Sequence, residues 1–312
     1  MKKLNKFLFC IIIFIIFLFI NSTIVSAETI NVRNNLKKGS RGEQVKLLQT
    51  ELNSVLGCNL DVDGSFGSKT LAAVKEFQTK YDLKVDGIAG ASTIGKLNVN
   101  YLADKNYVII YVSPTTNSGE LNVREKATAS STKLGTIPSG EVYEYYDTKV
   151  TNGKTWYKIK YNGQDAYISG SYAKTTGILL DLSEQLLKVY NDGKLQMEFP
   201  VITGNNGNNN TVSHKTPTGK YLFYKTNKKT AVTLRGNNDD GSRYKSYVDY
   251  WMPFITNRGI GFHDASWRSS SQFYNINTYL SNGSHGCVNM RPADAKELFN
   301  FITSNIYVYV IE

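Results

Sequence analysis

Apolar positions follow different periods in different parts of the chain, and each period predicts a different kind of element. Residues 7–20 form one unbroken apolar run. Between residues 36 and 98 the apolar residues recur at helical spacing. Val45, Leu48, Leu52 and Val55 share one face and end at Gly57, and Leu71, Val74 and Phe77 share another behind Ser68. Residues three and four apart meet on a helix surface, so short amphipathic helices are predicted, with Gly57 suited to stop the first. Ser40-Arg41-Gly42-Glu43 has the spacing of a capping box for that helix. From 105 to 175 the pattern becomes short and alternating, in Leu121-Asn122-Val123-Arg124, in residues 134–140, in 156–161 and in Ala166-Tyr167-Ile168. Asn162-Gly163 between two such runs marks a hairpin.

Alternation continues from residue 177. The runs 178–182, 186–190 and 195–202, with Asn191-Asp192-Gly193 as one turn, predict a β-meander. A polar loop covers 205–210, and Thr216-Pro217-Thr218-Gly219 punctuates the chain before a strand over 221–224. One helix is predicted near the end, from Pro292 through Ala295, Leu298, Phe299 and Ile302, since proline fits a first helical turn. The predicted architecture is multidomain: a small all-α unit over 36–98, an all-β unit over 105–175, and a mainly-β unit over 177–312 with a terminal helix.

The first 27 residues read as an export signal rather than as part of the fold. Lys2, Lys3 and Lys6 precede the apolar run, and Val25-Ser26-Ala27 is a small-residue cleavage site. The run is 14 residues long, short of the ~20 that span a bilayer. Extended to Ala27 it would approach that length, so an uncleaved anchor is the alternative to cleavage near Ala27. The formal charge is +10, and loss of Lys2, Lys3 and Lys6 leaves about +7. For an exported protein that charge points to anionic wall polymers and peptidoglycan carboxylates, and away from nucleic acid. Removal of Cys10 leaves Cys58 and Cys287, which do not make a disulfide framework.

The helical segment contains an internal echo. Val62-Asp63-Gly64-Ser65-Phe66-Gly67-Ser68-Lys69-Thr70 returns as Val85-Asp86-Gly87-Ile88-Ala89-Gly90-Ala91-Ser92-Thr93. Each copy is an Asp-Gly turn followed by a glycine and a hydroxyl residue placed to cap the next helix. Cys58, just past Gly57, reads as a small structural residue. Trp156 reads as core more readily than as a ligand-stacking residue.

The chemistry concentrates in Ser284-His285-Gly286-Cys287-Val288-Asn289-Met290-Arg291 and, upstream, Gly261-Phe262-His263-Asp264. The chain has 3 histidines, and two of them lie in these segments. A free thiol is only about 3% thiolate at neutral pH, and a nearby imidazole can take its proton and form an ion pair. Gly286 permits close backbone approach, and N–H groups at Gly286 and Cys287 are candidates for an oxyanion site. This reads as a cysteine acyl-transfer site; the alternative is a buried structural cysteine beside two structural histidines. His285 is weighed as a loop-holding residue against a second base, and His214 as a surface or acceptor-cleft residue. Asp239-Asp240 reads as a solvated turn. No ligand set has metal spacing, and no cofactor is expected.

The pattern His263, then Ser284-His285-Gly286-Cys287-x-Asn289, resembles the catalytic motif of the L,D-transpeptidase family, as does Thr216-Pro217-Thr218-Gly219-Lys220-Tyr221. Residues 36–98 resemble a peptidoglycan-binding domain and 105–175 a bacterial SH3-like barrel. The resemblance implies that Cys287 is the nucleophile and His263 the base. It implies that the backbone carbonyl of Asp264 orients the imidazole and that Gly286 supplies an oxyanion N–H. Ser284, His285, Asn289 and Arg291 would shape the substrate site. The 20 residues between His263 and Ser284 exceed the usual gap and imply a larger loop. The implied reaction is attack on the bond between the third stem residue and a terminal D-alanine. An amine then resolves the acyl-enzyme into a 3-3 cross-link; water as acceptor would make an L,D-carboxypeptidase. An inert wall-binding protein is the non-enzymatic alternative. A papain-like hydrolase is disfavoured because no histidine follows Cys287, and a sortase because its Thr-Leu-x-Thr strand is absent. The implied protein is a secreted, wall-associated monomer acting on peptidoglycan stem peptides, and sensitivity to carbapenems would follow.

Overall fold

The computed structural model describes residues 29–112, 119–205, 214–237 and 241–312. The expected signal peptide, Cys10 and the Asp239-Asp240 turn lie outside these residues. Among the described residues no helix is long and apolar enough to cross a membrane.

Three helices form the first unit: α1 (Glu43–Leu56), α2 (Ser68–Lys80) and α3 (Ala91–Tyr101). The helical stripe works as expected: Val45, Leu48, Leu52, Val74 and Phe77 are fully buried in one cluster. Gly57 takes the left-handed conformation (φ 67°) and its N–H donates to Asn53 O, ending α1. The capping predictions fail. Gly42, Gly67 and Gly90 occupy the three N-cap positions with no side-chain cap, and Ser40 Oγ instead accepts from the Lys37 N–H.

The echo has a different basis. In the first copy Gln49 on α1 donates through Nε2 to Asp63 (2.8 Å), while its Oε1 accepts from the Gly64 N–H (2.9 Å). In the second copy Gln78 on α2 makes the same pair of bonds with Asp86 (3.0 Å) and Gly87 (2.8 Å). Each amide is buried and spends donor and acceptor on one Asp-Gly turn. Cys58 is a free thiol donating to Asn53 Oδ1 at 3.3 Å.

The second unit is a seven-stranded antiparallel sheet. Its strands are β1 (Tyr107–Ile110), β2 (Glu120–Arg124), β3 (Lys133–Pro138), β4 (Val142–Thr151), β5 (Lys154–Tyr161), β6 (Gln164–Ser169) and β7 (Ala173–Lys174). Their order is β3-β2-β6-β5-β4-β1-β7, with no pairing that joins the two edges among the described residues. Asn162 (φ 48°) and Gly163 (φ 79°) form the expected hairpin turn between β5 and β6. Trp156 is buried, 5% exposed.

The third unit has two sheets. The first contains the meander β8 (Gly177–Asp181), β9 (Leu186–Asn191) and β10 (Lys194–Pro200), with Asp192 and Gly193 both at positive φ in its second turn. β11 (Gly219–Phe223) lies at the far edge. The second sheet holds β12 (Lys229–Asn237), β13 (Arg243–Ile255), β14 (Ile260–Asp264) and β15 (Val288–Met290). Short helices α4 (Ser270–Tyr274) and α5 (Thr278–Asn282) occupy the long segment between β14 and β15. The expected last helix is α6 (Pro292–Phe301), but the chain does not end there. β16 (Ile306–Ile311) inserts between β8 and β11, parallel to β8. Its six residues, Ile306–Ile311, are apolar or aromatic throughout, which hides the strand period, although Tyr307 is exposed. One core cluster draws on both sheets and α6, with Phe223, Met252, Phe262, Val288, Leu298 and Val308 fully buried.

The helical unit is seated against this domain. α3 lies on β10 at Gly95, where a Cβ would come within 2.7 Å of the Glu198 carbonyl. Beside it, buried Asn98 donates to Glu198 Oε2 (2.7 Å) and to Ile30 O (2.9 Å), and Lys188 pairs with Glu198 (3.2 Å).

Candidate active site

β14 and β15 run side by side and parallel, with His263 in register with Asn289. This brings together two segments more than twenty residues apart and places Cys287 at the mouth of β15. His263 and Cys287 line one cleft of about 230 Å³ with Ser284, His285 and Asn289. Arg291 is elsewhere. Its guanidinium is bidentate to Asp294 at the start of α6 (2.7 Å each), and it faces a separate cavity shared with Tyr274 and the helical unit. Side chains alternate along a strand, and Arg291 falls past the end of β15 where the chain turns into the helix.

The imidazole is nearly enclosed, 3% exposed. Its Nδ1 lies 2.8 Å from the Asp264 carbonyl. A carbonyl can only accept, so Nδ1 carries the proton and Nε2 is the basic nitrogen. Asn289 faces Nε2: with its amide nitrogen 3.1 Å from Nε2, its oxygen accepts from Arg268 Nε (2.7 Å) and Nη2 (3.1 Å). The Asp264 carboxylate points away and accepts from the Tyr250 N–H (2.8 Å). Burial holds the His263 pKa below its ordinary value, opposed by the Asp264 carbonyl and charge.

Burial also pushes the Cys287 thiol up to about 11, partly offset by the Gly261 N–H. Both shifts disfavour the charged forms, and the Cys287 Sγ lies 3.5 Å from the Gly259 carbonyl.

The Cys287 loop is tied down on several sides. Ser284 Oγ donates to the Cys287 carbonyl and accepts from the Gly286 N–H (3.1 Å). In this state, therefore, the Gly286 N–H is engaged by Ser284. Thr216, wholly buried, accepts from the Gly204 N–H and donates to the Gly286 carbonyl, both at 2.9 Å. Gly204 passes so close that a Cβ there would sit 2.0 Å from the His214 carbonyl and 2.5 Å from the Gly286 nitrogen. Gly286 itself has φ 111°, a backbone only glycine adopts freely. His285 is exposed, stacks on Tyr244 (5.0 Å, 22°) and meets His214 edge-on at 4.6 Å. The chain's three histidines thus converge on one place.

Several site residues carried no sequence signal. Trp267, half exposed, and Arg268 enter the cleft from the segment after β14; Leu234, Tyr244 and Ser246 enter from β12 and β13. Thr216 was marked by its motif, but its bracing role needs contacts 70 residues away. Among the described residues no group of three or more His, Cys, Asp or Glu could hold a metal ion.

Comparison with known proteins bears on each unit. Residues 175–310 match the L,D-transpeptidase catalytic domain, 41–97 a putative peptidoglycan binding domain, and 119–174 a bacterial SH3 domain. The catalytic domain from an E. faecium L,D-transpeptidase is 37% identical, over 44% of this chain and 96% of that one, with a TM-score of 0.34. A zinc D-Ala-D-Ala carboxypeptidase of Streptomyces albus G is 45% identical over 64 residues, 20% of this chain and 25% of that protein. A spore cortex-lytic enzyme of Bacillus subtilis is 33% identical over 122 residues, 38% of each. The chain spans from about a sixth to about half the length of the curated relatives it matches. With residues 175–310 matching the catalytic-domain model, behind peptidoglycan-binding and SH3 matches, the chain belongs to the L,D-transpeptidase family.

Proposed function

We propose that the protein is a peptidoglycan L,D-transpeptidase, exported and held on the wall by residues 36–98 and 105–175. Cys287 attacks the carbonyl joining the third stem residue to a terminal D-alanine. As Sγ closes on the carbon, its proton passes to Nε2 of His263. The tetrahedral oxyanion sits against the backbone N–H groups of Cys287 and Gly286, the latter released from Ser284 Oγ. Collapse returns the proton from His263 to the departing D-alanine amine and leaves a thioester. A stem amine from a second chain then attacks the thioester as Nε2 takes its proton; the C–S bond breaks, Cys287 leaves and recovers that proton from His263, and the cross-link is closed.

The observation that carries this reading is the fixed imidazole. The Asp264 carbonyl holds the Nδ1–H tautomer, so Nε2, which accepts from the Asn289 amide, is the basic nitrogen in the cleft that Cys287 lines. Ser284 and Asn289 support the nucleophile's loop and the base. His285 shapes the cleft rather than acting as a second base. The binding units raise the local concentration of stems without new catalytic contacts.

Water in place of the acceptor amine is the second reading, since the same thioester would then yield a tripeptide stem. Mass spectrometry of products from residues 28–312 and tetrapeptide muropeptides separates the two. A cross-linked dimer lacking one D-alanine supports transpeptidation, and tripeptide alone indicates carboxypeptidation. Absence of both products, with Cys287 still reactive to thiol reagents, would favour a wall-binding protein without turnover.

A further inference from the structure

The hairpin of β12 and β13 has two unlike faces. Leu234 opposes Ser246 and Gly236 opposes Tyr244, and Leu234, Tyr244 and Ser246 line the cleft beside Cys287. Gly236 has no side chain because Tyr244 lies across it; a Cβ there would meet the ring at 2.5 Å. The alternate positions point the other way: Thr233 opposes Tyr247, Arg235 opposes Lys245, and Asn237 opposes Arg243.

That outer face is exposed and cationic at Arg235, Arg243 and Lys245. Arg235 and Lys245 are like charges directly across from each other, an arrangement that destabilises a ribbon. Arg243 follows on the same face, about 7 Å from Lys245 along the strand. Among the described residues none of the three makes an ion pair, although salt bridges are common elsewhere on the molecule. The acid on this face of β13 is Asp249, about 13 Å beyond Lys245 by strand rise. A sheet face that concentrates cations, with no ion pair to them among the described residues, suits an anion from outside.

We propose that the outer face of this hairpin binds a repeating phosphodiester polymer of the cell wall, running past the cleft without entering it. Three cations within about one strand repeat exceed what one stem carboxylate can neutralise. A phosphodiester chain brings a charge with every repeat and presents paired oxygens to the guanidinium forks of Arg235 and Arg243. The net positive charge of the chain adds long-range attraction. The polymer would hold the hairpin, and with it the Tyr244 wall of the cleft, on the surface where stems are anchored.

The test is binding of synthetic poly(glycerol phosphate) to residues 28–312 across a salt series, with poly-L-glutamate of matched charge as the carboxylate polymer. The triple variant Arg235→Gln, Arg243→Gln, Lys245→Gln is expected to bind the phosphodiester at least tenfold more weakly. Its log–log salt slope should fall by about two, at about 0.7 per neutralised charge. Asp249→Asn should bind as tightly as the native chain or more tightly. Turnover of a small soluble muropeptide should be unchanged in the triple variant, which separates this site from the cysteine chemistry. Should the triple variant melt early, the single changes Arg235→Gln and Lys245→Gln, each losing part of the affinity, take its place. Unaltered phosphodiester binding in folded variants would overturn the proposal. Equal loss with poly-L-glutamate would also overturn it, and would assign the face to a carboxylate polymer.

Discussion

The Asp-Gly loops of the helical unit and the Cys287 loop of the catalytic domain solve the same problem in opposite ways. Both are tight, glycine-containing loops with buried polar groups to satisfy. In the helical unit one glutamine per loop does it, Gln49 reaching Asp63 and Gln78 reaching Asp86, over 14 and 8 residues of chain. The Cys287 loop is held by Thr216 from 70 residues away, by the Thr203 carbonyl, and through Arg268 and Asn289. Local bracing makes a unit that can repeat. Long-range bracing makes a site whose geometry depends on the whole domain, which a catalyst needs if its reacting atoms are to be held to a fraction of an ångström.

The sharpest break in that comparison is chemical. Cys287→Ala or His263→Ala should lower turnover at least about 10³-fold while leaving wall binding by residues 36–175 intact, checked by muropeptide assay and wall co-sedimentation. Next is Thr216→Val, which leaves the Gly204 N–H without its acceptor. A cost of about 1–3 kcal/mol in catalytic-domain stability and a drop of about ten- to a hundredfold in kcat are expected, read by thermal melts and kinetics. Gln49→Ala should cost a similar amount, but only in the helical unit, with turnover of a soluble muropeptide unchanged. Equal loss of turnover would show that the two loops are coupled through the α3–β10 contact.

The two regions should also differ in pH dependence. His263 has its pKa lowered by burial, so the neutral base persists below the ordinary value near 6.5. The acid limb of kcat/KM should lie below that value. Folded His263 binds its proton later than unfolded His263, so its contribution to stability is complete above about 6.5 and is lost as pH falls through it. Glu51 in the helical unit goes the other way. Burial raises it to about 8, with the Ile30 N–H on one oxygen and no partner for the other among the described residues. A raised carboxyl contributes stability below its ordinary pKa and loses it as pH rises toward 8. The smallest expected effect is therefore Glu51→Gln, a modest rise in melting temperature at pH 8 that vanishes near pH 4, measured by calorimetry.

This contrast also explains what could be read in the sequence. Helical stripes, Gly57, the Asn162-Gly163 and Asp192-Gly193 turns, and the meander all depend on neighbours close in the chain. The Asp-Gly echo was visible, but its cause was not: Gln49 and Gln78 sit upstream, and the hydroxyls suggested as caps are not used as caps. In the site, Cys287 and His263 stood out by residue type and motif. Arg268 and Tyr244 did not, because one arginine in a loop and one tyrosine among 21 mean nothing until the sheet assembles them. The family resemblance implied a substrate-site role for Arg291, but at the turn into α6 its guanidinium pairs with Asp294 and faces a separate cavity. β16 gives no period to read because its residues are apolar or aromatic from Ile306 to Ile311.

The most direct test of the central claim is intact-mass and peptide-level analysis of residues 28–312 mixed with a tetrapeptide donor and quenched within one turnover. The account predicts a thioester adduct, equal to the donor less D-alanine, on the peptide bearing Cys287. It predicts that the adduct forms far more slowly in His263→Ala. An adduct on another residue, or product formed by Cys287→Ala at the native rate, would contradict it.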